Sequence, residues 1–214
     1  MLKPIDQQLD VSLEVWDAAN EPNRLAWLEL WRQSPGREVF AHPNYVRLFT
    51  PAGASPLCVS LTCELGSVLY PLIRRDLTQE RYWTSGSPAA CDLVSPYGYG
   101  GPLAWGADRA ALAALFWPAF DAWAAEQNAV CEFVRFTLFE NDLLTYPGEK
   151  VIKYPNVVRE LDSDEPAIWM DYEHKVRKNV NKALRGGVAV EVDQEGARLE
   201  EFLRVYQHTM DRNG

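Results

Sequence analysis

Long hydrophobic runs, clustered cysteine and histidine, and a surplus of basic residues are all missing from this 214-residue sequence. No stretch approaches the roughly 18 consecutive apolar residues of a membrane-spanning helix. The first residues carry Asp6, Asp10, Glu14 and Asp17 and no apolar leader segment. These absences are read as a soluble, unexported, cytoplasmic protein with no integral membrane span. Cysteines 58, 63, 91 and 131 form no CxxC pair. His42, His174 and His208 do not complete a zinc spacing with them, so no metal is expected and the thiols are read as reduced. GxSxG is absent, GxxxxGK[ST] is absent, and the glycine spacing is wrong for GxGxxG. With 30 acidic residues against 21 Lys and Arg, the net charge of −9 excludes a protein that coats nucleic acid or anionic membrane over its whole surface. A local basic site stays open.

What is present is apolar and aromatic. Hydrophobic residues make up 47%, and 8 Trp, 9 Tyr and 8 Phe supply more apolar surface than a disordered chain carries. Residues 22–33 place Leu25, Leu28 and Trp31 at helical spacing behind Pro22 and stop near Ser34-Pro35-Gly36. A short helix follows Pro43, with Tyr45, Val46 and Phe49 on one face. Residues 57–64 and 67–73 read as a hairpin about Leu65-Gly66, and Pro71 assigns the second strand an edge or bulge position. The glycine- and proline-rich residues 84–106 read as the main loop. Asp108 then caps a helix to about Gln127, carrying a stripe of Leu112, Leu115, Phe116, Ala119, Phe120 and Trp123, with a bend expected at Pro118. Residues 130–137 read as a strand and 151–161 as a broken pair of strands. Trp16, Trp27, Trp31 and Trp123 are assigned to the core.

Beyond Asp162 the pattern restarts: a helix from about Pro166 to Arg185, a strand at 188–193, and a helix from about Ala197. Two helices around one strand cannot cover an apolar sheet face. This unit is therefore expected to dock on the first or to continue in a longer natural chain.

Two features stand out chemically. Residues 174–187 hold Lys175, Arg177, Lys178, Lys182 and Arg185 and none of the chain's 30 acids. On a helix, Lys175, Lys178, Lys182 and Arg185 share a face, beside a buried stripe of Trp169, Val176, Val180 and Ala183, and so offer several cations to one phosphate or polyphosphate. Equally, such a row is what a solvated helix face near a C-terminal dipole looks like. The second feature is Tyr97-Gly98-Tyr99-Gly100-Gly101-Pro102. Its glycines let backbone amides approach a ligand, and its tyrosines suit a sugar, peptide or base, although a plain structural turn has the same composition. Asp92 beside it is the one carboxylate singled out as a base. His42 and His208 are read as packing or surface residues.

Three segments carry a resemblance. They are Asp92-Leu93-Val94-Ser95-Pro96-Tyr97-Gly98-Tyr99-Gly100-Gly101-Pro102, the helix Lys175–Leu184 with Gly187-Val188, and Phe202-Val205-Tyr206-Thr209-Met210-Arg212. In order and spacing they resemble the FemABX family of peptidoglycan bridge aminoacyltransferases and the wider FemAB-like, GNAT-type acyltransferases. The resemblance implies an α/β fold (α+β, mixed sheet) with a GNAT-like first lobe over 1–155 and the start of a second GNAT-like lobe over 156–214. It implies transfer of an aminoacyl or acyl group to an amine of a cell-envelope acceptor, a nucleotide- or lipid-linked muramyl peptide. The donor it implies is aminoacyl-tRNA in the bridge enzymes, with acyl-CoA open for the wider class. Tyr97, Tyr99 and Gly100 would line the acceptor cleft, Lys175, Lys178 and Lys182 would bind substrate from the helix that opens the second lobe, and Arg212 would contact phosphate.

No [QR]xxGx[GA] loop is present, so these residues show no acetyl-CoA site and no cofactor. The family continues well past the position of Arg212, which supports the expectation of a longer chain. Two other readings stand beside the enzyme: a truncated, non-catalytic ligand- or partner-binding module of the same fold, and a nucleic-acid binder that uses the basic helix.

Overall fold

The computed structural model describes residues 13–84, 86–139 and 142–213. Asp6 and Asp10 lie outside them. The chain divides into two compact units, one running to Pro155 and the other starting at Asn156. The described residues are mixed α/β, with one mixed sheet and six α-helices among them.

The first unit is built on six strands: β1 (Glu14–Asp17), β2 (Ser55–Cys63), β3 (Gly66–Asp76), β4 (Cys91–Val94), β5 (Leu103–Gly106) and β6 (Ala129–Phe133). They run in the order β1-β2-β3-β4-β6, with β5 also pairing β3. All pairs are antiparallel except β4 with β6. Helix α3 (Arg109–Glu126) packs Leu112, Phe116 and Phe120 onto one face, against Val59, Leu61, Val68, Tyr70 and Leu72. Helices α1 (Glu21–Gln33) and α2 (Pro43–Leu48) bring Trp27, Leu30 and Val46 to the other face, against Cys58, Leu69 and Ile73. Both faces of the hairpin are thus covered, which explains why 57–61 and 68–73 read as nearly continuous apolar runs rather than alternating ones. Trp27 is fully buried, and a side chain of that kind contributes roughly 1.5–3 kcal/mol through its burial alone.

Local chemistry sets the ends of these helices. Asn20 accepts from the Asn23 amide at 3.1 Å to cap α1, and Asp108 accepts from the Ala111 amide at 2.9 Å to cap α3. The expected bend at Pro118 does not divide α3, which continues through it as one helix.

Several expectations are corrected. Residues 84–106 are not all loop, since β4 and β5 lie within them, short strands held by pairing with the long β3. Pro71 is neither at an edge nor in a bulge; it sits in the central strand opposite Cys58. Counting in twos from the hairpin's closing Cys63–Gly66 pair turns the Pro71 nitrogen away from β2. On that flank β5 pairs 66–69 and β4 pairs 73–76, so the missing N–H faces the gap between them. Residues 151–161 form no strands, and Ile152 and Val157 are almost fully exposed.

In the second unit, the single helix expected over 166–185 is two: α4 (Glu165–Asp171) and α5 (His174–Arg185), broken by extended backbone at Tyr172 and Glu173. The Arg177 guanidinium donates to the carbonyls of Met170, at 2.6 Å, and of Tyr172, using acceptors that the end of α4 leaves open. Residues 188–193 are not a strand, because no second strand of this unit pairs with them. Helix α6 (Leu199–Asn213) follows in this unit. The stripe expected to be buried on α5 is not buried, with Val176 and Val180 near 40% exposed.

Candidate functional site

The Tyr97–Gly101 segment is fastened on both sides. The Gly100 amide donates to the Arg135 carbonyl at 2.7 Å, and the Thr137 amide donates to the Gly100 carbonyl at 3.1 Å. The Tyr45 hydroxyl donates to the Tyr97 carbonyl at 3.1 Å. Gly98 has φ +89°, and a Cβ there would lie 2.4 Å from the Phe40 ring. Glycine is therefore needed at 98 for packing against Phe40, and the Gly100 amide is engaged internally rather than open to a ligand.

Phe40 itself is placed by two indoles. Trp27 Nε1 donates to the Ala41 carbonyl at 3.0 Å and Trp31 Nε1 to the Glu38 carbonyl at 2.8 Å, tying the short 3-10 turn at Val39–Ala41 to α1. His42 then caps α2, its Nδ1 accepting from the Asn44 amide at 3.1 Å. That contact requires an unprotonated nitrogen, and burial, with Arg32 nearby, holds the imidazole below its ordinary range.

The result is a chain of five rings. Tyr99 meets Phe40 edge-on at 5.5 Å, Phe40 meets Tyr45 at 5.3 Å, Tyr45 meets Phe49 at 4.7 Å, and Phe49 stacks on Tyr97 at 5.1 Å. Burial pushes the Tyr45 phenol up, with Tyr97 adding to it. Beneath the rings is a cleft lined by Glu38, Phe40, Pro71, Tyr99, Gly100 and Thr137. It holds about 10 Å³, room for one water at most. Outside the cleft, Tyr97 is 67% and Phe49 39% exposed. Phe40, Phe49 and Glu38 carry no local signal in the sequence; only the fold brings them to Tyr97 and Tyr99.

Asp92 lies on β4, 5% exposed, and its two oxygens accept from Arg75, one of them from Nε at 2.9 Å. These bonds push the Arg75 guanidinium up. Asp92 is thus paired rather than poised at the cleft, and Glu38 is the carboxylate-bearing residue among the cleft-lining residues named above. A second buried node involves Glu132, which accepts from the Tyr70 hydroxyl and, at 2.8 Å, from the Tyr146 hydroxyl. Burial raises the Glu132 carboxyl above its usual range despite both donors, and burial with the adjacent carboxylate raises both phenols.

In the second unit, α4 and α5 border an open groove of about 470 Å³. Lys178 and Arg185 line it, whereas Lys175 and Lys182 do not; Trp169, His174 and Asn181 do. Arg212 is near the end of α6 and exposed. Among the described residues no three of His, Cys, Asp and Glu gather as a metal site would require, and no helix is long and apolar enough to cross a membrane.

Compared with protein-family models, curated proteins and solved structures, the chain matches none of them.

Proposed function

We propose that this chain is part of a cytoplasmic acyltransferase of the FemAB-like, GNAT type, which transfers an aminoacyl or acyl group to an amine of a cell-envelope precursor. The observation that supports this reading is the position of Tyr97 and Tyr99. The segment that carries the resemblance forms one edge of an exposed aromatic shelf, with Phe49 stacked on Tyr97 and Glu38 lining the cleft below. Exposed flat rings suit the sugar and peptide of a muramyl-peptide acceptor. In the reaction the acceptor amine attacks the activated ester carbonyl. A C–N bond forms, the ester C–O bond breaks, and the amine proton passes to a base, for which Glu38 replaces Asp92 in this proposal, and from there to the departing oxygen, which leaves as the alcohol of the donor. Alignment of the two substrates supplies most of the rate.

The test is the melting temperature of the intact protein with a muramyl-pentapeptide nucleotide. A rise that survives Lys178→Gln with Arg185→Gln and is abolished when Tyr99→Ala is added supports the reading, and no rise at millimolar ligand counts against it. Acyl transfer that is lost in Glu38→Gln but retained in Glu38→Asp supports the base.

A second reading, a non-catalytic binding module, is favoured by Asp92, whose oxygens are both committed to Arg75. It expects the same ligand-induced rise with no turnover, so detectable acyl transfer by the 214-residue chain eliminates it.

A further inference from the structure

The cations of α5 do not act as one face. Positions 174, 178, 181 and 185 form a single row along the helix and turn toward α4, where Trp169 forms the opposite side of the groove. Lys175 and Lys182 lie on other rows. Arg177 also borders the groove, but its guanidinium is held by the carbonyls of Met170 and Tyr172, so it braces α4 against α5 rather than meeting a ligand.

What remains has a definite chemistry. Among the described residues, neither Lys178 nor Arg185 joins an ion pair, and no acidic residue lines the groove. In a chain of net charge −9 an acid-free cationic groove is a local reversal of sign. Lys178 and Arg185 are two turns apart, about 10 Å along the axis; Arg185 Nε donates to the Asn181 carbonyl at 3.2 Å, which leaves its two terminal nitrogens to meet a phosphate or diphosphate together with Lys178. Trp169 adds a half-buried indole, a flat surface for a ring. Asn181 adds an amide that both donates and accepts. The volume of about 470 Å³ lies in the range of small-molecule sites, about 300–1,000 Å³.

We infer that this groove is a nucleotide-binding subsite that takes a nucleobase against Trp169 and the phosphates against Lys178 and Arg185. Asn181, between them on the row, adds its amide to the phosphates. The inference does not rest on the acyltransferase reading, since it concerns residues of the second unit alone and requires no transfer chemistry.

The experiment is calorimetric titration of the full chain with ADP and, separately, UDP, with ribose 5-phosphate and adenosine as part-ligands. Either nucleotide is expected to bind with Kd below about 1 mM, and each part-ligand at least about tenfold more weakly. Trp169→Leu is expected to reduce nucleotide affinity to that of ribose 5-phosphate. Lys178→Gln with Arg185→Gln is expected to reduce it at least about tenfold, whereas Lys175→Gln with Lys182→Gln changes it less than about twofold. These side chains are exposed or half-exposed, and unchanged far-ultraviolet circular dichroism establishes that the variants fold. Three results overturn the inference: no binding of either nucleotide at 5 mM, about the practical limit of such a titration; equal loss in the two charge pairs, which means diffuse attraction; or binding of RNA that ADP and UDP do not displace. Tyr99→Ala leaves groove binding intact, which separates failure here from failure of the acceptor reading.

Discussion

Two phenylalanines at helical spacing have opposite fates. Phe116 of α3 is fully buried, whereas Phe202 of α6 is 61% exposed. Both helices carry apolar residues at spacings of three and four. The difference is that α3 has a sheet face to cover, and the described part of the second unit has no sheet. Periodicity therefore specifies that a helix forms and which stripe is apolar, but burial needs a partner surface that the stripe does not provide. The second unit is held instead by braces: Arg177 on two carbonyls, Arg159 on Asp171 at 2.6 Å, and Asp193 on the amides of Ala197 and Arg198.

The sharpest test of this contrast is a pair of truncations. Phe116→Ala is expected to cost about 3–5 kcal/mol, the usual range for an aromatic removed from a core. Leu184→Ala, at a position 62% exposed, is expected to stay within about 0.5 kcal/mol. Urea unfolding of both variants measures the difference, and comparable losses would mean that the second unit has a core of its own.

A smaller effect separates two left-handed glycines. Gly98 presses on Phe40, while Gly196, at φ +69°, has nothing near its would-be Cβ. Gly196→Ala meets backbone strain alone, about 1 kcal/mol. Gly98→Ala adds a collision with the ring and is expected to cost about 1–3 kcal/mol, with a change in the aromatic circular dichroism of the shelf. Equal costs would remove the packing role assigned to Gly98.

The smallest effects are in pH, and two groups of the first unit act in opposite directions. Glu132 has a raised carboxyl, so the folded chain keeps a proton that the unfolded chain has lost. Its stabilising contribution is full below the ordinary 4.5 and is lost as pH rises through the folded value. Glu132→Gln is expected to flatten that decline. His42 has a lowered imidazole, so its contribution is full above the ordinary 6.5 and is lost as pH falls through the folded value. His42→Asn, which retains a capping acceptor, is expected to remove the loss on the acid side. Denaturant midpoints across the two ranges check both, and either variant with an unchanged slope rules out its group as the source.

How much of this was legible in the sequence depends on the range of the interactions. The hairpin, the presence of a helix at α1 and the Asp108 cap of α3 were legible because capping and periodicity act within a few residues, although α1 buries Trp27 and Leu30 while Leu25 of the expected stripe is 55% exposed. The strands β4 and β5 were hidden, because four-residue strands inside a Gly/Pro-rich run owe their existence to β3 rather than to composition. Alternating valines at 188, 190 and 192 gave a strand pattern with no neighbour to pair with. At the shelf, Tyr97 and Tyr99 were visible from composition, but Phe49 is 48 positions from Tyr97 and Phe40 is 59 from Tyr99, and only the fold unites them. Asp92 was visible for the wrong reason: its proximity in sequence suggested a base, and the ladder set it opposite Arg75. On α5 the charge was legible and the facing was not, since the groove selects the row of Lys178 and Arg185.

The placement of β3 also sets an order of assembly. Its turn with β2 is closed by two residues, so those strands can find each other on the microsecond scale of an isolated hairpin. The parallel pairing of β4 with β6 must wait until β5 and the whole of α3 have been threaded between them. The aromatic shelf hangs from the late pairing, through Gly100 and Arg135. The shelf thus acquires its shape late, and during synthesis the ribosome must already have released α3 and β6 before Tyr97 and Phe49 can be held together.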